Sequence, residues 1–397
     1  MAKYKHILLI VLIVLVALAC LVFLYFEHYA PLSTADGTVA ELWYSEDELW
    51  RRVPEAVLKF NTDYASKHGF SIKTRAFASE DELGAELNKR INSHGILPDM
   101  VICDTDLAAF LDKSGVTCEM NDYFSQWETA DFDDSILAAS TVDGKLIAVP
   151  LAFDSAVFIA DKELVKDEEN VSSLEKLCAA SPGYYEENGK GFFTISDYSV
   201  FFRSYVARLG GDFDGRSPHD TDDENSKYIY KLLAETAYAR GYAVTDESPA
   251  RLVADGVLPC AFVSASDVAE NAAYIDPDSV LIMPYPGAKG GSEICPEQLY
   301  GIVILNSDIS SIHASAMFSR WFSTRSVNDE FVKGSGYVPS SYEVYDENDN
   351  AVLDELYKMI AEWKANGLSR FTTPDAAYPK NSRSFNEVLN TIMNSLI

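Results

Sequence analysis

The sequence predicts an α/β protein whose mixed, mostly parallel sheets stand behind one N-terminal transmembrane helix. Three observations predict it. Segments that alternate like strands take turns with segments of helical period along the chain, the order that builds open sheets with helices on their faces. The 397 residues suffice for about two domains at roughly 150 residues each. Residues 7–26 form an uncharged apolar run, and twenty residues rising 1.5 Å each span about 30 Å, the thickness of a bilayer's hydrocarbon core.

The N-terminal run orients the rest. Lys3, Lys5 and His6 precede it and Glu27 is the first charge after it, so residues 1–6 belong in the cytoplasm and the chain beyond lies outside. Residues 27–37 read as a linker. Ala17-Leu18-Ala19-Cys20 faintly resembles a lipobox, which gives an alternative: a lipoprotein anchored at Cys20. The apolar run continues to Phe26, longer than the 7–15 residues of a cleaved signal's core. The reading is therefore a single-pass anchor in the cell membrane carrying an extracytoplasmic domain. Beyond the anchor stand Cys103, Cys118, Cys178, Cys260 and Cys295. Five is odd, so at least one thiol has no intramolecular partner. Cys103 and Cys260 lie in apolar strand-like runs and read as small buried hydrophobes.

Residues 39–44 begin the exported part as a strand, and Ser45-Glu46-Asp47 after it is a helix-start signature. Leu49, Val53, Val57 and Phe60 then recur at helical spacing. Residues 71–77 alternate as a strand, residues 80–92 form a helix, and Pro98 to Cys103 is a short buried strand. Asp143-Gly144-Lys145 is a turn, followed by an extended run over 146–154 and a second strand over 156–160. The stretch 162–255 reads as mostly helical, with a strand at 191–195. Further strands are expected at 259–263, 280–284 and 300–304, then helices to the C-terminus with a break at Gly336-Tyr337-Val338-Pro339.

Charge and motifs exclude several functions. Acidic residues number 61 against 32 basic ones, a net charge of -29, so nucleic-acid binding is disfavoured. The six histidines form no cluster, and there is no Gly-x-Ser-x-Gly elbow, no His-Glu-x-x-His and no phosphate-cradling glycine loop. No enzyme activity, cofactor or metal is expected.

Several local patterns together resemble the family 1 extracellular solute-binding proteins of ABC importers, the group that includes maltose-binding protein. They are Leu42-Trp43 in the opening strand, Pro98-Asp99-Met100-Val101, Gly144-Lys145-Leu146-Ile147-Ala148-Val149-Pro150, Lys162-Glu163-Leu164, Asp255-Gly256 before Cys260-Ala261-Phe262, Pro284-Tyr285-Pro286-Gly287, and Ala314 through Phe322 followed by Gly336-Tyr337-Val338-Pro339. Their order over about 300 residues carries the resemblance. It implies a two-lobed, periplasmic-binding-protein-like fold of type II. Lobe 1 would take 38–149 plus 265–311 and lobe 2 would take 150–264 plus 312–397, with crossings near Pro150, near Ser264 and within 310–325. It implies a monomer that captures a small solute, a carbohydrate, by hinge closure and passes it to permease subunits. A sensory protein presenting ligand to a receptor or histidine kinase is the alternative, and gene neighbours would tell them apart.

Solutes in open α/β sheets lie off the carboxyl ends of strands, and pockets for them join aromatic walls to a few polar groups. Trp43, Tyr44 and Ser45 end the first strand and Asp104 and Asp106 follow the third. Ring stacking and ordinary strand packing account for Trp43 and Tyr44 equally well, and Asp104 is as good a helix cap as a ligand contact. By the family resemblance, Phe153 and Asp154 face the cleft on the first crossing, and Asp197 and Tyr198 supply lobe 2 contacts. Ser264 and Ser266 close the next crossing, and Tyr285 follows the 280–284 strand.

Overall fold

The structure, a computed structural model, describes residues 32, 34–46, 48–125, 128–130, 132–211, 222–245, 247–341, 350–371 and 374. The expected anchor, Ile7 to Phe26 with Cys20, lies outside the described residues. Among the described residues no helix is long and apolar enough to cross a membrane.

The first half-sheet is built from β1 (Thr38–Ser45), β2 (Phe70–Phe77) and β3 (Met100–Asp104), all parallel. Helices α1 (Val53–Asp63), α2 (Glu80–Ser93) and α3 (Thr105–Lys113) connect and follow them. The period of two sorts β1 by face. Ala40, Leu42 and Tyr44 enter one core with Phe60 and Phe70, while Trp43 enters the opposite one with Val101 and Cys103. The short α4 (Asp134–Ala139) precedes a hairpin of β4 (Thr141–Val142) and β5 (Lys145–Leu146). Its turn holds Asp143 and Gly144 at φ of 52° and 81°, the left-handed pair that an Asp-Gly dipeptide favours.

β6 (Val149–Asp161) runs thirteen residues without a break, where a 146–154 run and a separate second strand were expected. Both halves are paired, so nothing interrupts it. Residues 149–155 pair with β10 (Cys295–Ile304), and 156–161 pair with β8 (Cys260–Ser264) and β9 (Val280–Met283). The second half-sheet is completed by β7 (Phe193–Ile195), parallel to β8. Around it lie α5 (Lys162–Val165), α6 (Leu174–Asn188), α7 (Tyr198–Arg208), α8 (Glu224–Tyr238), α9 (Pro249–Ala254) and α10 (Ala265–Glu270). After β10 come α11 (Ile309–Ser323), α12 (Arg325–Val332), β11 (Val338–Pro339), α13 (Ala351–Ala365) and β12 (Ser369–Phe371).

Three expectations are corrected by these pairings. The sheet is mixed but not mostly parallel: six of ten strand pairings among the described residues are antiparallel. The reason is that β6 and β10 serve as connectors and run against each other and against β3 and β8. The segment near Ser264 does not return the chain to the first half-sheet, because β9 still pairs with the far half of β6. The return is made by β10, whose register shifts between Tyr300 and Gly301. A Cβ on Gly301 would meet the Val149 carbonyl oxygen at 2.6 Å, so the close approach of β10 to β6 requires glycine there. Finally, α11 packs on the first half-sheet. Its Ile312, Phe318 and Phe322 share a core with Phe60 and Phe70, although residues from 312 onward were expected in the second lobe.

Candidate functional site

A cavity of about 550 Å³ opens where the two half-sheets meet. The first contributes Ser45 and Glu46 at the end of β1, Trp50 and Arg51 from the tight turn behind it, and Glu80 at the start of α2. The second contributes Ser196, Asp197 and Val200 at the start of α7, Ser264 at the end of β8, Asp267 and Glu270 on α10, and Tyr285. The connecting strands supply Asp154, Ser155 and Ala156 from β6 and Gln298 and Tyr300 from β10, and Tyr337 closes one wall. Strand ends converge because every parallel strand delivers its carboxyl terminus to the same edge.

Asp154 is the best-positioned polar group. Its carboxylate accepts the Ser266 amide at 3.2 Å and the Ser266 hydroxyl, and Ser264 Oγ lies 2.7 Å from Ser266 Oγ. Ser266 itself is fully buried, so it acts behind the wall and orients Asp154 rather than lining the cavity. Phe153 points the other way, as the neighbour on a strand must. It is buried and packs edge-on against Phe371, centroids 5.2 Å apart.

The helix starts at the cavity are capped by its own lining residues. Asp197 accepts from the Val200 amide at 2.9 Å, and Ser264 accepts from the Asp267 amide at 3.1 Å. Each thus satisfies an orphan donor of a helix N-terminus. Tyr198, beside Asp197, turns away to pack on the core of the second half-sheet. Asp267 accepts from Ser248 Oγ at 2.7 Å and the Ala250 amide at 3.1 Å, yet burial still pushes its carboxyl above the ordinary carboxylate range. The Tyr285 and Tyr300 hydroxyls are pushed well up by burial first, with the charge of Asp154 adding to both.

Four expected contacts do other work. Trp43 is buried between strand and helix, with the guanidinium groups of Arg75 and Arg90 4.7 and 4.5 Å from its ring. Tyr44 is in the core of the first half-sheet. Asp104 caps α3, accepting from the Leu107 amide at 2.8 Å, and also accepts from Gln298 Nε2 at 2.8 Å, so it holds a lining residue from behind. Asp106 forms an ion pair with Arg203 Nη1 at 2.8 Å, the carboxylate buried and the guanidinium partly so. Asp106 stands on α3 and Arg203 on α7, so this pair spans the two half-sheets. Of the twelve residues expected, Ser45, Asp154, Asp197, Ser264 and Tyr285 line the cavity.

The sequence reading missed Trp50, Arg51, Glu80, Gln298, Tyr300 and Tyr337. Tyr337 had a local signal in the glycine before it. Gly336 has φ 83°, and a Cβ there would meet the Ala265 carbonyl oxygen at 2.3 Å, so only glycine can bring the chain this close to α10. Trp50, Tyr300 and Tyr337 form one aromatic group, with Trp50 centroids 5.4 Å from Tyr300 and 5.8 Å from Tyr337. The group is assembled from three distant parts of the chain, which no local pattern announces.

The model of a family described as bacterial extracellular solute-binding protein matches residues 57–362. The chain belongs to that family. Within this solute-binding protein the match runs from α1 to α13; it leaves out β1 and β12 but takes in the other strands of both half-sheets and most of the cavity wall. No curated protein matches it. Solved structures share the fold at low identity. The GacH receptor of Streptomyces glaucescens, known unliganded and with acarbose, is 16% identical with a TM-score of 0.69, covering 91% of this chain and 94% of its own. Maltose-bound T. maritima MalE3 is 13% identical, TM-score 0.70, with 91% and 99% covered. UgpB from Mycobacterium tuberculosis, in complex with glycerophosphocholine, is 18% identical, TM-score 0.68, with 91% and 97% covered. At these identities the likeness establishes the two-lobed α/β fold.

Proposed function

We propose that this solute-binding protein, held at the membrane by its N-terminal apolar run, captures a carbohydrate between its lobes and hands it to the permease subunits of an ABC importer. The observation that carries the reading is the 550 Å³ cavity walled by both lobes and by the strands that join them. A solute there is buried by closure of one lobe on the other, a hinge motion about β6 and β10. Aromatic faces from Trp50, Tyr300 and Tyr337 suit the C–H faces of a sugar ring, and Asp154, Glu80 and Gln298 suit its hydroxyls. Two solved structures of this fold hold maltose or acarbose, which agrees with a sugar-sized cavity. The strand pairings favour lobe 1 from β1 through the first half of β6, rejoined from the second half of β10 through α12. They favour lobe 2 from the second half of β6 to the first half of β10, with α13 added. The uncleaved single-pass anchor, the extracytoplasmic placement and a monomeric state complete the proposal.

Thermal unfolding with a panel of mono- and oligosaccharides tests it, because a solute that binds only the folded form raises the midpoint. At least one sugar is expected to raise it by several degrees. A panel in which amino acids or other solutes shift the midpoint and no sugar does would reject the carbohydrate.

A further inference from the structure

The carbohydrate reading can be sharpened by the charge of the cleft. The cavity wall carries six carboxylates, from Glu46, Glu80, Asp154, Asp197, Asp267 and Glu270, against one cation, Arg51. The Arg51 guanidinium is already engaged by Glu270 in an ion pair. Of the other five, Asp197 caps α7 and Asp267 is held by Ser248 and the Ala250 amide, which leaves Glu46, Glu80 and Asp154, brought from the loop after β1, α2 and β6, so no single acidic loop accounts for the charge of the wall.

We infer that the solute carries a protonated amine on a hydroxylated skeleton, as an amino sugar does; the inference rests on the carbohydrate reading above. Two carboxylates are positioned rather than loosely displayed. Ser266 holds Asp154 from behind, and Glu80 Oε1 accepts the Asp104 amide at 2.7 Å, which fixes its carboxylate at the start of α2. The rings of Trp50, Tyr300 and Tyr337 belong to the same wall, and aromatic rings attract ammonium groups. Closure removes water from this wall, and a charge taken out of water is costly unless it is paired. A neutral sugar offers these carboxylates only hydroxyls. An ammonium group offers an opposite charge as well as three donors, and the field that attracts it repels anionic solutes.

Isothermal titration of the full chain in detergent micelles, with ligands that share a skeleton and differ in charge, tests this. The ligands are chitobiose, its N,N′-diacetyl form, cellobiose, and spermidine as an amine without a sugar. Chitobiose is expected to bind at least about tenfold tighter than the two neutral disaccharides, with an affinity that falls as salt is added. Glu80→Gln keeps the acceptor for the Asp104 amide and removes the charge. It should weaken chitobiose roughly tenfold, and several times more than it weakens any neutral disaccharide, which loses only a hydroxyl contact there, with the melting temperature reporting that the variant is folded. Neutral disaccharides binding as well as chitobiose overturn the inference and leave the carbohydrate reading standing. Spermidine binding alone overturns both. Silence from all four ligands overturns the inference, and the wider sugar panel then decides the reading. A Glu80→Gln loss equal for charged and neutral sugars also overturns it.

Discussion

Asp154 sits on the strand that passes between the lobes, with its carboxylate in the cleft and Ser266 behind it. Asp154→Ala is expected to weaken solute binding by roughly tenfold or more. It should also lower stability by about 1–3 kcal/mol, because the buried Ser266 amide and hydroxyl lose their acceptor. Calorimetric titration and the denaturant midpoint read the two effects separately, and Asp154→Asn, which keeps an acceptor, should restore most of the stability and little of the affinity. Asp154 was legible through the family resemblance, which puts Phe153 and Asp154 on the first crossing. Trp43 was left open between ring stacking and strand packing. A strand-end aromatic reveals its residue type but not which face it takes, and here the alternation of β1 turns Trp43 towards Arg75 and Arg90. Trp50 and Tyr300 were invisible because they come together on the cavity wall only in the folded chain.

Helix α11 shows how much of the fold was local and how much was not. Its start is written in the sequence: Asp308 accepts from the Ser310 and Ser311 amides at 3.0 and 3.2 Å and from Ser311 Oγ at 2.8 Å. Its position is not, because Ile312, Phe318 and Phe322 find their core only when the chain has returned through β10. The same contrast holds for strands. The apolar runs at 39–44, 71–77, 259–263 and 280–284 gave strands within a residue or two of those observed, whereas β11 and β12 are short and owe their pairing to β6 and β10. Hydrogen bonds from Ser311 hold the Asp308 carboxyl below its ordinary value of 3.8. A lowered folded value means that the cap's contribution is full above the ordinary value and is lost as pH falls through the lowered one. Asp308→Ala is expected to cost about 1 kcal/mol near neutral pH. Melting curves of the two proteins, compared from neutral pH down to pH 3, should show that difference shrinking only at the acid end.

At the scale of the whole molecule, the ion pair between Asp106 and Arg203 ties α3 to α7 across the two half-sheets, and it forms only while these helices are adjacent. Asp106→Asn should shift the lobes towards the open form. Because apparent affinity scales with the fraction of molecules able to bind, solute binding should weaken severalfold although residue 106 does not line the cavity. Small-angle scattering should give a larger radius of gyration for the variant, and an unchanged radius with unchanged affinity would remove the pair from the closure equilibrium. A final consequence concerns how the protein is made. Cys103, Cys118, Cys178, Cys260 and Cys295 are all buried, and burial pushes the thiols of Cys118, Cys178 and Cys295 up to about 12. Thiols so rarely ionised are poor partners for disulfide exchange. Outside the cytoplasm, where oxidases can pair cysteines as chains emerge, it is the folded cores that shield these thiols. Its safe passage therefore depends on folding outrunning oxidation, and slow-folding variants would fail by mispairing before they failed by instability.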